Sequence, residues 1–303
     1  IKFSKGNNIF LIDQSTKNQF KHFCKQNNPK DMETAIEYFT VFGGADFKID
    51  TTKPLTELIE KYILKDYTYL RNNVHNLTGG YSVDHAVLSG IALGDRRTYS
   101  SFKRAHISFE QGMKCVENLT ERGIIEIESS QNFLVNKRGD SKIAKKLLFT
   151  TPFLRFWFAF VSPIYKGIKE GNFKEFHEKY EARKADFSDF IFEELGLELI
   201  TDLYKDDEIK NIGKYWDDNI EISLVAKTKS GKIIAGNCKQ TNSKLKKSDL
   251  NKLKADCETI GLKADIHTLF TKKGFTTELK GMKSETIKLL TTRNLKILLE
   301  ETK

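Results

Sequence analysis

The sequence predicts a mixed α+β protein, and three observations carry that expectation. The first 75 residues show mainly helical periodicity. Two β-branched runs flank a Lys-Ser-Gly turn in EISLVAKTKSGKIIAGNCKQ (221–240). The last third then alternates helix and strand patterns over short loops. At 303 residues the chain has room for two or three domains with real cores. Its 39% hydrophobic and 30% charged content is too apolar for a disordered chain. A net charge of +9 favours an anionic partner, nucleic acid first and an acidic protein or membrane surface behind it. Cys24, Cys115, Cys238 and Cys257 include no CxxC, so neither a zinc site nor a disulfide framework is expected. Reduced thiols and the lack of a signal-peptide pattern point to a cytoplasmic protein.

The elements follow in order. DMETAIEYFTVF (31–42) has apolar helical spacing and stops at Gly43-Gly44. Pro54 opens a further helix, PLTELIEKYIL, and Gly79-Gly80 breaks the chain. These make a mostly helical region over 1–78. In 79–148, YSVDHAVLSGIALG and TYSSFKRAH read as two helices, and Ser108 with Gln111 forms a capping box that starts a third. After Gly123 two strands are expected, IIEIE (124–128) and FLVN (133–136). Three helices and a hairpin are the winged variant of the helix-turn-helix. Arg96, Arg97, Lys103, Arg104 and Lys114 are its candidate DNA contacts, opposed by Glu110, Glu117 and Glu121 on the third helix. The hairpin tip has no cation, although Lys137 and Arg138 follow it.

LLFTTPFLRFWFAFVSPI (147–164) is apolar enough to suggest a membrane span. Pro152, Arg155 and Pro163 interrupt it, and the run between the prolines is about half of the ~20 residues a bilayer requires. Phe153, Phe156, Trp157, Phe160 and Ile164 fall at helical spacing, so a buried helix between domains is expected and no membrane partner. Connecting helices fill 149–186. From 187 onward the order is helix (187–204), a short strand near Ile212, strands at NIEISLVAKT and GKIIAGNCKQ, a helix capped by Ser248 (247–262), and a strand at 264–272.

Several stretches carry a family resemblance. They are TPFLRFWFAFVSP, Phe192-Glu193, IGKYWDDNIEISLVA, IIAGNCKQ and FTKKGF, with EYFTVFGGADF upstream. In this order they resemble the nuclease-like C-terminal domain of unknown function of archaeal-type AAA+-like ATPases, a branch of the PD-(D/E)xK nuclease superfamily. The resemblance runs from about residue 37 to residue 275. It implies an αβββαβ nuclease-like domain over 187–303, preceded by a winged helix and a remnant of the ATPase lid. No G-x-x-x-x-G-K-[ST] is present, so no ATP is expected as a cofactor.

The same resemblance locates a site and shows it depleted. Where that superfamily carries acids that hold Mg²⁺, this chain has Ser223 and Asn237; Glu193 and Lys239 match the helix glutamate and the motif lysine. Mg²⁺ requires anionic oxygens, which serine and asparagine do not provide. A degenerate site with no metal follows, in which Glu193 and Lys239 pair with each other. The expected function is non-cleaving binding of DNA or a protein partner, through the winged helix and a basic face that includes Lys244, Lys246 and Lys247. Two alternatives stay open. One is an active Mg²⁺-dependent nuclease rescued by a migrated carboxylate, with Glu221 as candidate, ~7 Å along the strand from Ser223. The other is a structural adaptor for protein contacts.

Overall fold

The structure is a computed structural model that describes residues 9–134 and 143–300. The chain is mixed α+β and divides into two compact units. A helical unit comprises Ile1–Glu128 and Ala144–Ser188, and a sheet unit comprises Ser129–Ile143 and Asp189–Lys303.

The helical unit begins with α1 (Thr16–Asn27) and α2 (Met32–Phe42). Asp31 caps α2 by accepting the Thr34 N–H at 2.7 Å. α3 (Leu55–Ile59) passes into a π turn, and α4 (Tyr67–Thr78) ends at Gly79 in the left-handed conformation, φ 73°. Then come α5 (Ser82–Ala92), α6 (Thr98–Arg104) and α7 (Phe109–Glu121). Both bonds of the Ser108–Gln111 capping box form at the start of α7, at 3.2 and 3.4 Å.

β1 (Ile125–Glu128) pairs antiparallel with β2 (Lys146–Phe149). Asn132–Leu134 instead form a 3-10 turn, and residues 135–138, with Lys137 and Arg138, lie outside the described residues. β2 is held on both edges. Its other edge meets Arg97, with Thr98 N–H on the Lys145 carbonyl and Leu147 N–H on the Arg96 carbonyl, both 2.9 Å. All four of its side chains are buried.

α8 (Pro152–Phe156) and the π turn Trp157–Val161 are buried throughout and form the spine of this unit. Phe153 packs on Phe10 and Phe47, Trp157 stacks on Tyr67 at 5.5 Å, and Phe160 meets Tyr180 and Phe187. Arg155 is also buried; it donates to the carbonyls of Ala92 and Phe187 and lies 4.0 Å over the Phe187 ring. Among the described residues no helix is long and apolar enough to cross a membrane. α9 (Tyr165–Lys169) leads into α10 (Lys174–Leu203), one 30-residue helix that runs through the expected boundary near residue 187.

The second half of α10 opens the sheet unit. β3 (Ile209–Trp216), β4 (Glu221–Thr228) and β5 (Ile233–Lys239) follow, then α11 (Lys247–Ile260), β6 (Ile266–Thr271), α12 (Thr277–Gly281) and β7 (Ile287–Thr291). The sheet order is β3-β4-β5-β6-β7, with the first two pairings antiparallel and the last two parallel. Ile222, Val225, Ala235 and Leu269 pack against Leu250, Leu253 and Cys257 of α11. α11 is capped differently from the expectation. Lys246, not Ser248, is the N-cap residue, and the Asp249 carboxylate reaches back to the Lys246 N–H at 2.8 Å.

Candidate functional site

The sequence-matched residues converge on β4, β5 and α10, joined by a polar chain. Ser223 on β4 is buried; its hydroxyl donates to Glu193 Oε1 at 3.3 Å, and its N–H donates to Asn237 Oδ1 at 3.3 Å. Ser223 therefore sits beside Glu193 and Asn237 against the Ser223 backbone, and each bonds as a neutral group.

The dominant feature is a residue that no motif marks. Lys214 on β3 has a side chain with 0% exposure, and its ammonium donates to Glu193 Oε2 at 2.9 Å and Glu194 Oε1 at 2.8 Å. The Phe190 ring lies 5.3 Å from the same nitrogen. One helix turn of α10 thus supplies two carboxylates and an aromatic wall to one buried cation. A buried ammonium is tolerated only with such partners, because it loses all hydration. Lys214 reads from sequence as an ordinary strand lysine; only the tertiary return of α10 places acids over it.

The expected Glu193–Lys239 pair is not formed. Lys239 instead donates to Asp249 in the first turn of α11, at 2.7 Å. Burial works against the Asp249 carboxylate, but the Lys239 bond, the Lys246 N–H and both ammonium charges hold its carboxyl below the usual range. Period-two alternation accounts for the separation. Asn237 and Lys239 continue the Ala235 face, toward α11. Cys238 faces the other way, beneath Gly196 of α10, where an added Cβ would stand 2.7 Å from its sulfur.

A Mg²⁺ ion does not fit this donor set. Glu193 is bonded to Lys214, and Glu221 lies at the exposed start of β4, across from Trp216. Asp217 is committed to a turn, accepting from Tyr215 Oη and from the N–H groups of Asn219 and Ile220, all at 2.8 Å. Among the described residues no three His, Cys, Asp or Glu side chains gather into a group that could hold a metal ion.

The candidate DNA contacts divide. Arg96 is buried, with φ 61°, and so is not a surface cation. Arg97 is half-buried; Lys103 and Lys114 are exposed, and Arg104 is exposed but bonded to the Gly90 carbonyl and Asp95. Lys244, Lys246 and Lys247 are all exposed. Their loop runs beside residues 274–276, with Leu245 N–H on the Gly274 carbonyl and Thr276 N–H on the Leu245 carbonyl, both 3.0 Å.

No curated protein and no solved structure matches this chain. Residues 157–253 match the family model DUF234, described as archaea bacterial proteins of unknown function, a span that includes Glu193, Lys214, Ser223, Asn237, Lys239 and Asp249.

Proposed function

We propose that this chain is a nuclease-like protein that has exchanged metal-dependent cleavage for binding, with DNA as its ligand. One observation carries the reading. The acid that a metal site would use, Glu193, is already paired with the buried Lys214 ammonium. Cleavage of a phosphodiester needs a cation that can meet the substrate's oxygens; Lys214 is fully buried and held by two carboxylates. The αβββαβ order and the mixed sheet support a PD-(D/E)xK-like core. The α5–α7 helices, with β2 lying between Arg97 and β1, support a winged helix.

Binding is assigned to the sheet unit rather than to α7. The exposed face of α7 carries Glu110, Glu117 and Glu121 against Lys114, which repels phosphate. The loop into α11 exposes Lys244, Lys246 and Lys247, although Lys247 also reaches Glu278 at 3.3 Å. These lysines neutralise phosphates without reading bases, so affinity depends on salt and not on sequence.

The test is a gel shift on duplex DNA across a salt series, with parallel incubation in Mg²⁺ and Mn²⁺. Binding that weakens steeply with salt, loses affinity in Lys244→Ala/Lys246→Ala and leaves the DNA intact supports the reading. Metal-dependent strand scission lost in Glu193→Gln sinks it, and salt-insensitive or absent binding transfers the surface to a protein partner.

A further inference from the structure

β3 is the outermost strand of its sheet, and the edge away from β4 is where unsatisfied backbone groups would stand. Two residues of the segment between β1 and β2 take those groups in turn. The Ser130 hydroxyl accepts the Trp216 N–H at 2.9 Å and donates to the Trp216 carbonyl at 2.9 Å. The Gln131 N–H donates to the Lys214 carbonyl at 2.9 Å, and its side-chain amide reaches the Ile212 carbonyl at 3.4 Å. Residues 212, 214 and 216 are alternate positions, so these bonds follow the period of the strand edge. Position 213 is glycine; a Cβ there would stand 2.5 Å from Gln131 Nε2, so a larger residue would push that side chain aside. Beyond the 3-10 turn that follows, Leu134 packs against the core cluster of the sheet unit. Ser130 is itself buried.

We infer that residues 130–134 are a strap that fixes β3, and with it Lys214, so that the ammonium stays between Glu193 and Glu194. The bonds fall on the backbone of Lys214 itself and on its second neighbour, Trp216. Releasing the strap frees the one strand that carries the buried cation. Displacing residues 130–131 from the β3 edge must therefore break these bonds, and that displacement is coupled to the order of the Lys214 cluster. This inference rests on the strand-edge bonds and holds whether or not the lysine face binds DNA.

The experiment is hydrogen exchange by NMR on the full chain, comparing wild type with Ser130→Ala and Gln131→Pro. The readouts are the Trp216 amide and the Lys214 ammonium. Losing a bonded partner should speed exchange at Trp216 in Ser130→Ala by about tenfold, with faster Lys214 ammonium exchange in both variants and unchanged Leu269 on β6. An unchanged Trp216 amide in a folded Ser130→Ala protein overturns the strap. A faster Trp216 with an unchanged Lys214 overturns the coupling. Should the variants not fold, the wild-type amide decides. Protection at Trp216 within about tenfold of Val225 on β4 supports the strap, and exchange like an open loop amide overturns it.

Discussion

Replacing Lys214 by methionine removes the ammonium and keeps an unbranched chain that can fill the same space. Removing one partner of a buried ion pair costs about 3–5 kcal/mol, because the remaining charge is left without compensation. Here two carboxylates remain, but the side chains of Glu193 and Glu194 are 20% and 16% exposed, so water reaches both. That places the expected loss near ~3 kcal/mol. With a urea dependence of about 2 kcal/mol per molar, the unfolding midpoint should fall by about 1.5 M. Urea titration in a Trp157→Phe background, followed by the fluorescence of Trp216, fully buried on the same strand, reads it directly. Two controls bracket the number. Lys239→Met breaks a pair whose side chains are 35% and 23% exposed, and should cost no more than about 1 kcal/mol. Adding Glu193→Gln and Glu194→Gln to Lys214→Met should recover at least half of the loss, since no buried charge is then left alone. A midpoint shift no larger than that of Lys239→Met, or a triple variant less stable than the single one, would refute the reasoning.

Two further outcomes follow from the helical unit. Arg155→Met leaves the carbonyls of Ala92 and Phe187 without the charged donor and should cost about 2–4 kcal/mol in thermal or urea unfolding. Lys at the same position should recover little, because its single ammonium cannot span both. His85 has its pKa lowered, first by burial and then by the nearby His75; its Nε2 lies 2.7 Å from the Thr78 hydroxyl and its ring packs edge-on to Phe158. The folded state therefore disfavours its protonation. Its contribution is fully present above the ordinary histidine value of about 6.5 and is lost as pH falls through the depressed folded value. Stability measured from pH 7.5 downward should drop in that window, and His85→Gln should flatten the drop; an unchanged profile in the variant would contradict the assignment.

Local signals were legible in sequence, and long-range ones were not. Ser108 and Gln111 announce α7 because a capping box is complete within four residues. The β4–turn–β5 unit reads as well, since its β-branched runs and Lys-Ser-Gly turn are contiguous. Of the strand expected at 133–136, residues 133–134 lie in a 3-10 turn and the rest outside the described residues, and β1 pairs with 146–149. That pairing is not local, because 146–149 is also held by Arg96–Thr98 some fifty residues upstream. The site shows the same division. Ser223 and Asn237 can be found from their neighbours in β4 and β5. Lys214 is an unremarkable lysine until α10 brings Glu193 and Glu194 over it, and Asp249 becomes Lys239's partner only through the packing of α11.

A lysine of the chain itself supplies the positive charge at Glu193. Mn²⁺ titration of the metal-stripped protein, read by electron paramagnetic resonance and calorimetry at neutral pH, tests it most directly. No Mn²⁺ site tighter than about millimolar is expected, because neutral Ser and Asn oxygens and an already paired glutamate hold a hard cation poorly. A micromolar Mn²⁺ site that disappears in Glu193→Gln would contradict it.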